Sequence, residues 1–390
     1  MNIIIIGNGV YVTGRCTDVY GTVLPAIVEY QRLNKTINMV QVIGTNPVHA
    51  KDAKAKAWEL MQLTDVSLQL YFHPETSGNN PDTYKDIISK IEQPACAVVV
   101  VPDHLHYEIT KECLEAGLHT LVVKPLTPTL KEAKDLIYLS NENNLYGAVE
   151  FHKRFDRHNL KLKEALSDNE IGDPLYFLVE YSQRNNIPLK SFSYWVDKTN
   201  IFQYLGVHYV DIIYFITGAT PRKVQVLGQK SWLKDQGVDT FDAIHATIEW
   251  EMQNGKKFLS FIHTNWIDPE NTSAMSDQRM KVIGTKGRIE SNQKNRGLQK
   301  ITDTHGIEDI NPDFCNTYPL PDGKLSHQGY GIDSINTFLR DVQNITHGNI
   351  KPGDLEGKRP TFTDSLVSTA MVEAVNTGLK KQGVWLEIDV

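Results

Sequence analysis

The chain has 390 residues, 41% of them hydrophobic and 22% charged, with a formal net charge of -7. That length exceeds one ordinary hydrophobic core and predicts two domains; the acidic balance excludes a nucleic-acid-binding footprint, and no run of about 18 apolar residues predicts a membrane span. Cys16, Cys96, Cys113 and Cys315 lack the paired spacing of zinc or redox sites, so the thiols, with a first strand starting too early for a targeting leader, point to the reducing cytoplasm.

Residues 2–6 carry four consecutive isoleucines and predict a strand buried on both faces. Gly7-Asn8-Gly9 follows at once. Glycines there let the backbone turn tightly and approach a pyrophosphate, whose charge is met by amide groups. A third glycine would fall at Val12 and is missing, so residues 11–21 read as an enlarged phosphate loop before a helix over 22–33. A second strand, 39–44, ends at Thr45-Asn46. A carboxylate at this point would bind the adenosine ribose and repel a 2′-phosphate; with none present, and Lys51 and Lys54 nearby, both NAD and NADP are admitted.

A helix (50–63), a strand (68–72), a polar loop and a helix (82–91) come next. The apolar strand 95–101 ends in Pro102-Asp103-His104-Leu105-His106, whose histidines shape a cofactor pocket and lack a third metal ligand in a recognisable spacing. Helix 107–116 leads to Leu121-Val122-Val123-Lys124-Pro125-Leu126. Here a buried strand delivers an ammonium group to its carboxyl end, where open α/β sheets bind ligands. Helix 130–143 and strand 147–151 complete an alternation that requires parallel pairing and right-handed crossovers. The prediction is a doubly wound, dinucleotide-binding domain over residues 1–152.

From residue 153 the texture changes. A helix at 158–166 gives way to long strands at 175–183, 223–229, 241–252 and 256–264, then shorter ones over 280–302. Gln253-Asn254-Gly255 is a hairpin signal. Helices at 332–346 and 363–381 and a strand at 384–389 close the chain. The expectation is an α+β domain over 153–390 with a large, mostly antiparallel open sheet, its second face covered by a partner subunit in a homodimer or homotetramer. Within it, residues 201–218 form a helix apolar nearly all round, which is therefore buried. Tyr204, His208 and Asp211 lie on one face of it at spacings of four and three. Burying such groups costs several kcal/mol unless they are paired, so the stripe either lines a cavity or forms an internal pair.

Taken together, the glycine loop, VVVVPDHLH, ECLEAGLHTLVVKPL, EFHKRF, GVHYVD and the closing MVEAVNTGLKKQGVWLEI resemble the glucose-fructose oxidoreductase, inositol dehydrogenase and MocA family across almost the whole chain. The resemblance implies NAD(P)-linked oxidation or reduction of a sugar, sugar derivative or polyol. It implies cofactor contacts from Gly7, Asn8, Gly9, Val10, Thr45, Asn46, Pro102, His106, Lys124 and Pro125. Lys124 matches the lysine of the family's Glu-Lys-Pro motif, with Val123 in place of the glutamate; His208 matches the catalytic histidine and Asp211 the aspartate three residues on. Tyr204 stands where many members have an aspartate, and joins Lys124 and His208 as a catalytic candidate. Substrate contacts are expected from Lys124, His152, Arg154, Tyr204, His208 and Asp211. Three other readings remain: a glycosidase that oxidises its sugar transiently, a non-catalytic nucleotide sensor, and a metal-dependent lyase using His104, His106, His208 and Asp211.

Overall fold

The computed structural model describes residues 1–15, 17–75 and 78–389. Cys16 and part of the 11–21 loop reading therefore lie outside the described residues. The chain divides into two compact units. The first comprises Met1–Leu126, Lys131–Phe155 and Asp313–Asp364; the second, Thr127–Leu130, Asp156–Pro312 and Ser365–Val390.

The chain opens with β1 (Asn2–Ile6), a one-turn helix α1 (Val10–Thr13) and α2 (Val23–Asn34). It continues through β2 (Met39–Ile43), α3 (Pro47–Thr64), β3 (Leu70–His73), α4 (Thr83–Ile88) and β4 (Ala95–Val99), then α5 (His106–Glu115), β5 (His119–Val123), α6 (Leu130–Glu142) and β6 (Gly147–Glu150). All six strands pair in parallel, in the order β3-β2-β1-β4-β5-β6. Continuous apolar strands such as Ile3-Ile4-Ile5 suit this arrangement because helices cover both faces of such a sheet. The order reverses between β1 and β4, and in sheets of this kind the ligand crevice lies there, outside the carboxyl ends of the strands. Val12, where a third glycine was expected, is fully buried in the core of this unit.

Next come α7 (Arg157–Ser167), β7 (Pro174–Arg184), α8 (Val207–Thr217), β8 (Thr220–Gln229), α9 (Trp232–Asp235) and β9 (Ala243–Glu251). They are followed by β10 (Lys257–Asp268), β11 (Ser276–Gly284), β12 (Arg288–Asn292) and the small hairpin of β13 (Gln299–Thr302) and β14 (Gly306–Asp309). A second small hairpin, β15 (Asn316–Pro319) and β16 (Leu325–Gln328), precedes α10 (Tyr330–Thr346), α11 (Leu366–Gly378) and β17 (Trp385–Glu387). The large sheet of the second unit runs β12-β11-β7-β10-β9-β8-β17. Only the β7–β10 pair is parallel among the described pairings of that sheet, so the expected, mostly antiparallel open sheet is observed. The turn at Gln253–Gly255 does join antiparallel β9 and β10, with Gly255 N donating to Met252 O at 2.9 Å. Along β9 and β10 every second residue is buried, and that inner face packs with α8 and α11 into one core that includes Trp250, Trp266 and Phe177.

A single boundary after residue 152 does not describe these units. Residues Asp313–Asp364 return to the first one. There α10 lays Ile332, Ile335, Phe338, Leu339 and Val342 against the core that holds Val23, Leu24 and Ile27 of α2, and the Tyr30 hydroxyl donates to Leu339 O at 3.4 Å. An apolar helical stripe shows that a helix is buried but not which partner buries it.

Candidate functional site

At the carboxyl end of β1, Gly7 adopts φ +122, and a Cβ added to it would lie 2.0 Å from the Val100 carbonyl oxygen. Only glycine fits this close approach of the β1 and β4 ends. Asn8 is buried and its Nδ2 has no hydrogen-bond partner among the described residues. Gly9 opens α1 and would meet nothing within 4 Å if given a Cβ, while Val10 is half exposed. This loop fits a dinucleotide: it has a cradle closed to side chains, an open backbone beside it, and a buried amide donor left to be met. At the end of β2 the Asn46 side chain accepts from Val48 N at 2.8 Å and caps α3. Its oxygen is thereby engaged, and no carboxylate stands at residues 45–46 to exclude a 2′-phosphate.

β5 delivers Lys124, which is partly exposed and joined to buried Pro125 by a cis peptide. Burial pushes the Lys124 amine down to about 8 from 10.5, opposed by the carboxylates of Asp103 and Glu150. The Lys-Pro turn is tied to the end of β4 through His106, the first residue of α5. Its Nδ1 lies 2.7 Å from Pro125 O and its Nε2 2.9 Å from Val101 O. A neutral imidazole donates to one of these carbonyls; burial favours that neutral form, with Asp103 acting against it. His106 is therefore a strut under the lysine, more than the pocket-lining group expected of it.

At the end of β6, Glu150 is 2% exposed. Its Oε2 accepts from His152 Nδ1 at 3.0 Å, and the Tyr11 hydroxyl sits 3.4 Å from the same nitrogen. The rings of Phe314 and Tyr330 flank His152 at 5.3 and 5.7 Å between centroids. Burial first, then Glu150, pushes the Tyr11 phenol well above its ordinary value. Arg154 is buried and ion-paired with Asp364. Both residues expected to touch substrate here, His152 and Arg154, thus hold carboxylates of their own unit. The sequence reading gave no role to Glu150 or Asp103; Glu150 is the last residue of β6, and what it does depends on the strand laid beside it.

In the second unit α8 carries His208 and Asp211, 4% and 2% exposed. The segment before it, Phe202–Gly206, is a π turn. A Cβ on Gly206 would meet the Phe202 ring at 2.6 Å, so glycine lets that ring pack inside the wider turn. The turn is pinned by amides: Asn200 Oδ1 accepts from Gln203 N at 3.0 Å, Asn200 Nδ2 donates to Asn376 Oδ1 at 2.7 Å, and Asn376 Nδ2 donates to Gln203 Oε1 at 2.8 Å. The spacing of four between Tyr204 and His208 therefore crosses a π turn, which the expected uniform helix did not include. π turns inside helices recur at functional sites. Tyr204 packs edge-on to Phe192 at 4.9 Å and tilted to Trp266 at 5.9 Å, and His208 lies 6.3 Å from the Tyr181 ring. Among the described residues, no three His, Cys, Asp or Glu side chains are grouped to hold a metal ion, and no helix is long and apolar enough to cross a membrane.

The strand order, the glycine cradle and the lysine at the carboxyl end of β5 define a dinucleotide-binding oxidoreductase class. Residues 2–151 match the family model described as the oxidoreductase family with an NAD-binding Rossmann fold, and residues 159–290 match the GFO/IDH/MocA C-terminal domain. The chain belongs to the GFO/IDH/MocA family. Myo-inositol 2-dehydrogenase of Thermotoga maritima is 27% identical over 230 residues, 57% of this chain and 64% of that protein. The NADP-dependent scyllo-inositol 2-dehydrogenase of Bacillus subtilis is 27% identical over 189 residues, 45% and 49% of the two chains. These matches span between about half and two-thirds of the curated relatives' lengths. The same fold is seen in scyllo-inositol dehydrogenase of Lactobacillus casei, solved with NAD(H) and scyllo-inositol, at 16% identity, with a TM-score of 0.67 over 99% of this chain and 98% of that one.

Proposed function

We propose that this chain is an NAD(P)-dependent dehydrogenase or reductase acting on a hydroxyl-bearing carbon of a sugar, sugar derivative or polyol. The observation that supports it most is Lys124 at the carboxyl end of β5, its amine lowered to about 8 by burial. The inositol dehydrogenases among its relatives support a cyclic polyol or sugar. When bound, the nicotinamide supplies hydride exchange; the protein supplies positioning and proton handling. The Gly7–Val10 loop would hold the pyrophosphate on backbone amides, and Pro102 and Pro125 would contribute to the cofactor's binding. Lys124 holds the reacting hydroxyl oxygen and stabilises negative charge that develops on it. His208, whose ordinary pKa lies near neutrality, takes the proton as the alcohol is oxidised and returns it in the reverse direction. Tyr204 and Asp211 orient the neighbouring hydroxyls. Self-association belongs to the same proposal, through the solvent side of the seven-stranded sheet, where Leu227, Ile267 and Tyr176 are exposed; light scattering at a dimer or tetramer mass checks it.

The test is a fluorescence titration with NADH and NADPH, then turnover on a panel of inositols, aldoses, aminosugars and open-chain polyols. Lys124→Ala is expected to lose about 10²- to 10⁴-fold in turnover while still binding reduced cofactor. Near-normal turnover would remove the lysine from the chemistry. Cofactor binding without turnover on any panel member would favour a sensor, and release of an aryl glycoside's leaving group without stoichiometric cofactor a glycosidase.

A further inference from the structure

The motif lysine of this chain has a valine before it in sequence, yet a carboxylate stands beside that valine in space. Val123 of β5 is the register partner of Glu150 on β6, and adjacent strands lie about 4.8 Å apart. Glu150 ends a strand whose other residues are apolar and, like it, buried. A buried carboxylate is costly unless it is paired and hydrogen-bonded. One oxygen, Oε2, is held by His152; the other, Oε1, is buried and has no hydrogen-bond partner among the described residues. Such a half-satisfied carboxylate is tolerable where a cation lies close by.

Resting on the dehydrogenase reading, we propose that Glu150 is a positioning residue for Lys124. Clamped by His152, it provides from the neighbouring strand the negative charge that keeps the lysine amine charged and in place. The groups facing the lysine within its unit fit this role. Asp103, from the turn after β4, and Glu150, from β6, both raise the Lys124 amine against burial, while the lysine in turn disfavours charge on His106 of α5. On the other side of Glu150 stand His152 and the Tyr11 phenol of α1. Tyr11 is a neutral phenol at neutral pH, and burial, then Glu150, raise its pKa further. His152 thus fixes the carboxylate's direction, and the carboxylate joins Asp103 in holding the lysine charged against burial.

The experiment is trace acetylation of the cofactor-free, full-length protein with acetic anhydride across pH, read by mass spectrometry on the peptide containing Lys124. The parent midpoint is expected near 8. Glu150→Gln keeps the shape and removes the charge, so its midpoint should fall by about one pH unit, with about eightfold more neutral amine at pH 6.5. Glu150→Asp should restore most of the parent midpoint, and His152→Asn, which releases the clamp, should give a smaller fall. A merely structural role for Glu150 would lower the melting temperature without moving the midpoint. A folded Glu150→Gln protein with the parent midpoint overturns the proposal. If that variant does not fold, an unmoved midpoint in His152→Asn overturns it. The readout precedes any redox step, so a protein that titrates as expected but turns over no sugar or polyol faults the dehydrogenase reading alone.

Discussion

Gly7→Ala offers the most direct check on the glycine cradle. The methyl group would be placed 2.0 Å from the Val100 carbonyl oxygen, so one backbone must move by at least about 1 Å to reach ordinary contact. Neither can move cheaply. Gly7 N donates to Ile43 O at 2.7 Å and Val100 N donates to Ile6 O at 2.7 Å, which tie the ends of β1, β2 and β4 together. Disturbing two such bonds costs about 1–3 kcal/mol, and holding alanine at φ +122 costs roughly another 1–3 kcal/mol. The sum, about 2–6 kcal/mol, corresponds to a melting temperature lower by on the order of 5–20 °C in a unit of this size. If the variant still folds, its distorted loop should weaken NADH or NADPH binding by at least about tenfold, read by fluorescence titration beside calorimetry of the apo-protein. A variant that melts within a degree of the parent and binds both cofactors as well would show that β1 and β4 do not approach this closely, and the loop reading would go with it.

Two further outcomes test the packing and the protonation states. Trp250 is fully buried, stacks on Phe258 and donates from Nε1 to Ser260 Oγ at 2.8 Å; Trp250→Ala should cost about 3–5 kcal/mol in urea unfolding, and a loss under about 1 kcal/mol would contradict the described core. His119 accepts from Tyr146 N at 3.0 Å, and burial lowers its pKa from 6.5 to about 4. Because the folded value is the lower one, the neutral ring's contribution is full above 6.5 and is lost as the pH falls toward 4. His119→Gln should therefore lose less stability than the parent between pH 7 and 4.5 in urea titrations; equal losses would place the acid sensitivity elsewhere.

The Rossmann half was legible because its determinants are local. A buried parallel strand reads as an unbroken apolar run, and the glycine and lysine that end β1 and β5 follow such runs directly. Lys124 and Gly7 could be singled out on that basis alone. The π turn could not, since a periodicity of 3.6 assumes the geometry it is meant to detect; Gly206 beneath the Phe202 ring is a local trace of it. Glu150 was passed over because its meaning depends on register: it becomes a neighbour of the lysine only once β6 is laid beside β5. The capture of α10 by α2 is likewise a long-range event. Ile332, Ile335 and Phe338 announce a buried stripe and leave the partner open.

That capture bears on how the chain is made. A nascent polypeptide that has emerged only as far as Phe155 holds all six strands of its nucleotide-binding sheet, yet the surface that α10 will occupy over Val23, Leu24 and Ile27 is still bare. Roughly half the chain must be synthesised before that cover arrives, and newly emerged chains with uncovered apolar surface are the ones that aggregate. An expression clone cut after the sixth strand should therefore yield insoluble material, and co-expression of a piece spanning Asp313–Asp364 should bring part of it back into solution.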